Sequence, residues 1–312
     1  MTYDAKAMQA THTPVLLHQS IDSLEIKKGD IFLDGTVGSG GHSALVAERF
    51  GSSVTVIGLD RDTDALRRSE TLLRSIELRK GKELRLHLFE ESFRNLDKVL
   101  EGLGVSSVNA ILFDIGISSD QLETSGRGFS FQRDEPLLMT MKEKPEEDDL
   151  TAAYILNNFE EESLELILRG FGEEKYSRKI AREIVKTKES KPFVTTFDLV
   201  AVINRSVPER YKRGRINAAT KTFQALRIAV NEELVALEEG LTKGFDRLAK
   251  EGRIALITFH SLEDRIVKNF YRERAKEGTG TLINKKPIIP SEEEVALNPR
   301  ARSAKLRVIG KL

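Results

Sequence analysis

The sequence predicts an α/β fold, a doubly wound parallel sheet with a helical domain inserted into it. Three observations carry this. Short apolar runs alternate with helix-like stretches as far as Asp114. The first of these runs breaks into a glycine-rich loop. A stretch much longer than a βαβ crossover then separates Asp114 from the next convincing apolar run, which begins near Arg253.

Strands are expected at 30–34, 54–59, 84–89 and 110–114, each short, apolar and followed by a turn or helix signal. Helices fit between them at 41–50, 62–79 and 93–102, and Asp62 or Thr63 is placed to cap the second. A fifth strand is expected at 252–259. It is followed by a helix at 262–274, an irregular segment rich in Pro, Gly and Lys, and a last strand at 305–309. One long helix at 217–249 would return the chain to the sheet. Shorter helices are expected at 149–158, 160–171, 174–189 and 196–205. In these, Leu164, Ile167 and Leu168 form one apolar face, and Ile180 and Ile184 are an i, i+4 pair. Residues 126–216 are therefore assigned to an inserted all-α domain. Residues 1–125 and 217–312 form a discontinuous sheet domain. An insertion at the carboxyl ends of strands lies over the ligand crevice, so a substrate lid is expected.

The loop after the first strand, IFLDGTVGSGGHS at 31–43, points to a nucleoside-like ligand. Asp60 follows the second strand about 20 residues on, where such folds hold a ribose. The dinucleotide fingerprint is incomplete, because its third glycine is Ser43. Asp34 precedes the loop and would repel a diphosphate. It suits a cationic ligand with an amino group, and S-adenosylmethionine is favoured over NAD or ATP. The phosphate loop ending in Gly-Lys-Ser/Thr is absent.

Composition narrows the class further. The chain has no cysteine, which excludes disulfides, cysteine-ligated zinc and iron–sulfur clusters. No other metal site stands out, although His260 and Asp264 are i, i+4 neighbours. No apolar run approaches the roughly 20 residues of a membrane span, and the first residues lack the pattern of a signal peptide. A cytoplasmic protein is expected. Net charge is zero, but between Asn204 and Arg227 seven basic residues face only Glu209. That strip is either a solvated surface or a phosphate-binding one.

Several blocks resemble one family. They are HTPVLL (12–17), DGTVGSGGHS (34–43), DIGISS with Gln121 and RGFSF (114–131), TFQALRIAVNEEL (222–234), FHSLEDRIVKNF (259–270) and EEEVALNPRARSAKLRV (292–308). Together they resemble the bacterial 16S ribosomal RNA (cytosine-N4)-methyltransferase family, MraW or RsmH, almost end to end. The resemblance implies a class I, Rossmann-like methyltransferase with a mostly parallel seven-stranded sheet and an inserted all-α domain. It implies S-adenosylmethionine as methyl donor, and a decoding-centre cytidine of the small ribosomal subunit as substrate. By motif, the cofactor contacts would be Gly40, Gly41, His42, Asp60, Phe93, Asp114 and Gln121. The chain departs from the family pattern at Gln19, Asp120, Leu138 and Thr140. The last two replace an acidic and a basic residue.

Exocyclic N4 is a poor nucleophile, so a site must align it with the methyl group and accept its proton. Asp114 is the first candidate acceptor, with Ser118 and Ser119 as helpers; cofactor binding is its competing role. Phe129, Phe131 and Phe259 are candidates to stack on a flipped base. Arg127, Arg213 and Arg215 are candidates for phosphates, and His260 for the base or for ordering its loop. Two other readings stay open: a different nucleic-acid target, and a cofactor-binding assembly adaptor without catalysis. The sequence leaves the oligomeric state open, with a homodimer as one option.

Overall fold

A computed structural model describes residues 14–81, 83–117, 122, 125–142, 145, 146 and 148–312. Its Cα positions group into two units, Met1–Gly116 with Leu234–Leu312, and Ile117–Glu233. Ser118, Ser119, Asp120 and Gln121 lie outside the described residues.

The first unit holds β1 (Ile31–Asp34), β2 (Thr55–Asp60), β3 (Arg85–Glu90), β4 (Val108–Asp114), β5 (Leu248–Thr258), β6 (Gly280–Leu282) and β7 (Lys305–Lys311). They form one sheet in the order β3-β2-β1-β4-β5-β7-β6. From β3 to β5 all pairs are parallel; β7 runs antiparallel to β5 and to β6. The central strands are continuous apolar runs because both faces are covered. Their side chains alternate between the two faces. Phe32, Leu112 and Ala255 share one core with Ile21 and Leu45, from the helices Leu17–Leu24 and Gly41–Phe50. Leu33, Ile111 and Leu256 share the other with Leu100, Leu241 and Val267, from the helices Leu96–Gly102, Glu233–Arg247 and Ser261–Lys276. Polar residues left at the strand ends therefore gather at one edge, where β1 and β4 form the topological switch point.

Local signals set the helix ends. Asp62, not Thr63, caps Thr63–Lys80: its Oδ1 accepts from the N–H groups of Asp64 and Ala65 at 3.0 and 3.1 Å. Three sequence expectations need correction. The expected helix at 217–249 is two helices, Thr220–Asn231 and Glu233–Arg247, because Glu232 adopts a left-handed conformation (φ 50°) whose N–H returns to Ile228 O. The fifth strand starts earlier, at Leu248, and carries an irregularity around Glu251 (φ 64°) and Gly252. The segment expected to be irregular contains β6 and the helix Glu292–Leu297.

The second unit contains the helices Ala152–Asn158, Glu161–Gly172, Ser177–Lys188, Thr196–Ser206, Glu209–Lys212 and Thr220–Asn231. Their core includes Leu156, Leu164, Leu168, Ile180, Ile184, Leu199 and Leu226, all fully buried. It extends past the boundaries expected from sequence, 126 and 216. Gly172 lets Glu161–Gly172 cross Thr220–Asn231 closely, since a Cβ there would lie 2.5 Å from Lys221 O. The helix 220–231 thus packs with the insertion. Among the described residues, no helix is long and apolar enough to cross a membrane.

The helix Thr196–Ser206 opens on a reciprocal capping box between Thr195 and Asp198. Asp198 also accepts from Val194 N–H and from Lys191. Thr195→Ala is expected to cost about 1 kcal/mol of stability, measured as a lower urea midpoint with unchanged slope.

Candidate functional site

Three aspartates end neighbouring parallel strands: Asp34 on β1, Asp60 on β2 and Asp114 on β4. Asp34 is fully buried, accepting Ser43 Oγ–H at 2.7 Å and Thr36 N–H at 3.3 Å. Asp60 turns back onto the glycine loop, with Oδ2 accepting Gly38 N–H at 2.8 Å and Oδ1 accepting Asp62 N–H at 3.0 Å. Asp114 is held through its backbone, which donates to Thr36 Oγ1 at 2.6 Å. Its carboxyl is less satisfied. Oδ1 is buried with no hydrogen-bond partner among the described residues, and Oδ2 lies 3.9 Å from His42 Nδ1.

The loop between β1 and the helix Gly41–Phe50 explains its glycines. Gly40 has φ 86°, and a Cβ there would lie 2.9 Å from Ser69 Cβ. A Cβ on Gly41 would meet Pro14 Cγ at 2.1 Å. The helix therefore starts with bare backbone, its positive end at the sheet's carboxyl edge. His42, in its first turn, is buried, with Nε2 3.3 Å from Val15 O.

The electrostatics follow from crowding carboxylates out of water. Burial, with repulsion from Asp34 and Glu263, pushes the Asp114 carboxyl up to about 8. Burial pushes Asp34 up to about 6, against the hydrogen bonds from Ser43 and Thr36. Asp60 is raised by burial too, against its backbone hydrogen bonds. Such a site favours a ligand that brings positive charge. A carboxylate with a raised pKa is also a better proton acceptor near neutral pH.

His260 caps the helix Ser261–Lys276 just past β5. Its Nδ1 accepts Glu263 N–H at 3.4 Å, while Glu263 Oε2 accepts the N–H groups of Phe259 and His260 at 2.8 and 3.1 Å. Glu263 Oε1 lies 2.9 Å from His260 Nε2, outside hydrogen-bonding geometry. The motif FHSLED thus locks a turn beside β4, and Phe259 lies against Gly116. Asp264 does not join His260; it accepts from Arg307 Nε at 2.7 Å and from Lys305 Nζ at 3.1 Å.

The remaining sequence candidates are dispersed. Phe93 packs on Phe113 with ring centroids 5.3 Å apart and fills the space left by Gly240. Ser118 and Gln121 lie outside the described residues. In the helical unit, Arg127 is buried and donates to the carbonyls of Met141 and Lys142 at 2.8 and 2.9 Å, so it shapes its own loop and is not presented to a phosphate. Phe129 is buried in the helical core, and the half-buried Phe131 packs edge-on against Phe223 at 5.6 Å. Within the basic strip, Lys221 donates to Glu173 O and Arg227 forms a two-point pair with Glu233. Arg205 and Lys212 pair with Glu183 and Glu209. Arg210, Arg213 and Arg215 are exposed and have no partner among the described residues. Leu138 and Thr140 lie in a strap whose Met139 N–H donates to Arg127 O and whose Met139 carbonyl accepts from Asn231. With neither position charged, the strap leaves no buried charge unpaired there.

Comparison with known proteins sets this geometry in context. A family profile described as the MraW methylase family matches residues 9–312. The chain belongs to the MraW methylase family. A relative from Clostridium botulinum (strain 657 / Type Ba4), named ribosomal RNA small subunit methyltransferase H, is 41% identical over 320 residues, covering 98% of this chain and 100% of the relative. A protein of the same name from Persephonella marina is 44% identical over 297 residues, covering 95% and 98%. One from Heliobacterium mobile is 43% identical over 321 residues, covering 98% and 100%. In this MraW methylase, two contributors escaped sequence reasoning. Thr36 fixes the backbone of Asp114, a contact 78 positions apart that no local pattern encodes. Glu263 is the other. Its signal was present, since a Glu three residues after an N-cap is the capping-box spacing, here with an unusual His at the cap.

The raised Asp114 pKa has a stability consequence. Because the folded carboxyl titrates near 8 and the unfolded one near 3.8, its contribution is fully present below about pH 4 and is lost as pH rises through about 8. Asp114→Asn removes this loss. Its gain in thermal midpoint over the ligand-free wild type should widen from pH 5 to pH 8, by up to about 1.4 kcal/mol per pH unit. A constant difference across that range would show that Asp114 is ionised throughout.

Proposed function

We propose that this MraW-family chain methylates N4 of a decoding-centre cytidine in small-subunit ribosomal RNA, using S-adenosylmethionine as the methyl donor. The observation that carries this reading is the Asp34–Asp114 pair: two buried carboxyls with raised pKa values flank a glycine loop at the sheet's switch point. That pair suits a cationic cofactor and disfavours a diphosphate. The names of the relatives supply the substrate class.

The chain's residues fit the cofactor. Gly40 and Gly41 let the loop pack tightly on Ser69 and Pro14 at the start of the helix, and His42 sits beside Asp114. Asp60 is assigned to the ribose hydroxyls and Phe93 to the adenine, with Gln121 completing the contacts. When bound, the cofactor supplies an electrophilic methyl group on a sulfonium. Its methyl group would pass to the N4 lone pair, leaving a neutral thioether as the second product. Asp114 accepts the N4 proton, its unpaired Oδ1 being the available atom, with Ser118 as helper. Positive charge near Asp114 lowers its pKa and readies it as base. His260 orders the loop after β5.

Residues 117–233 serve as the substrate-recognition unit, and Arg213 and Arg215, joined by Arg210, contact phosphates. A reaction on bacterial ribosomal subunits would place the protein in the cytoplasm. The deciding experiment is methyl transfer to small subunits that lack the modification, with the product nucleotide mapped by mass spectrometry. Label on N4 of a decoding-centre cytidine is expected. Cofactor binding without transfer would make the protein an adaptor instead. Reversing both charges, Arg213→Glu with Arg215→Glu, should weaken RNA binding and lower its salt slope by about two. Unchanged binding across a salt titration removes them from the interface.

A further inference from the structure

A cavity of about 300 Å³ opens beside β5 and β7, lined by Phe259, His260, Ser261, Arg302, Ser303 and Lys305. It lies within the sheet unit and uses two motifs, FHSLED and NPRARS, whose tail portion the reaction itself leaves without a role. Its volume sits at the small end of ligand pockets, enough for one nucleotide.

The lining sorts into two halves. Phe259, half-buried and backed by Gly116, gives an aromatic face, and the exposed side chain of Ile289 extends the apolar wall. Arg302, Ser303 and Lys305 line the same cavity. Arg302 is exposed and has no partner among the described residues. Lys305 is shared with Asp264, but that carboxylate is also held by Arg307, so two cations share one anion there. The helix Ser261–Lys276 adds the positive end of its dipole, because Ser261 opens it. Glu263, the other carboxylate nearby, is buried and turned onto the N–H groups of Phe259 and His260. Aromatic face, unpaired guanidinium and helix N-terminus together match a stacked base joined to a phosphate. A small acidic metabolite would leave the aromatic face unused.

We propose that this cavity holds a nucleotide of the RNA substrate flanking the target cytidine, its base against Phe259 and its phosphate on Arg302 and Lys305. The assignment rests on the methyltransferase reading, and it adds a second anchor that registers the RNA one residue from the reacting base. Gly116 and Phe259 set the short path between the two positions, since Gly116 follows Asp114 by two residues.

The test uses the full-length chain with unmodified small subunits and, separately, naked 16S RNA. Arg302→Ala is expected to raise KM for subunits about tenfold and to lower the salt slope of binding by about one on both RNAs. Arg302→Lys should restore the slope. Phe259→Leu should weaken binding without changing the slope. S-adenosylmethionine binding by each variant reports that the fold is intact. A slope unchanged in Arg302→Ala overturns the assignment. So does a loss confined to whole subunits and absent on naked RNA, because the occupant is then a protein. If the wild type transfers no methyl group at all, the functional reading fails. If it transfers while Arg302→Ala binds like wild type, only the cavity assignment fails.

Discussion

The structure depends on carboxylates kept at the buried end of a covered parallel sheet. Helices on both faces remove water from β1, β2 and β4, so each terminal aspartate must find partners locally or hold its proton. Asp34 finds Ser43 and Thr36, and Asp60 finds the loop backbone. Asp114 finds the least, and its pKa is pushed up to about 8, above the value of about 6 for Asp34. The glycine loop, the start of the helix Gly41–Phe50 and the Glu263 capping box all surround this one under-satisfied group. The same desolvation that destabilises its charged form raises its affinity for a proton.

Much of this was legible in the sequence because it is local. The strands β1, β2 and β4 were found as short apolar runs, since cover on both faces removes any polar alternation, whereas β3, at the sheet edge, keeps an alternating, partly exposed pattern. Most helix limits fell within a few residues of expectation, because caps such as Asp62 and Thr151 are side-chain chemistry written beside the helix they start. Glu232 was illegible: a non-glycine residue at positive φ interrupts what reads as one helix, and only packing decides it. β6 was missed because three residues paired on one edge strand leave no pattern to read.

The site was legible in the same uneven way. The glycine loop and Asp60 stood out by spacing, and the structure joins them through the Gly38 N–H. Arg127 did not: its charge suggested a phosphate, yet its guanidinium is buried on the Met141 and Lys142 carbonyls. Arginine's five donors serve backbone carbonyls as readily as phosphates, and sequence does not distinguish them. Phe129 and Phe131 misled similarly, because aromatic residues that pack in a core look like those that stack on a base. Thr36 was invisible, as its partner lies on a different strand. Fold signals in this chain are largely short-range, while the chemistry depends on side chains that meet across the sheet.

The hydrogen bond from Gly38 N–H to Asp60 has a kinetic and entropic side. A glycine-rich loop is the costliest kind of segment to order, since each glycine gives up a wide range of backbone conformations. Here Asp60 from the neighbouring strand orders it in the ligand-free protein. A small molecule arriving at the crevice meets a finished surface and does not have to organise one, so less of its interaction energy is consumed by conformational restriction. One carboxylate thus acts as a scaffold for the loop, and release of product leaves the loop already shaped for the next molecule.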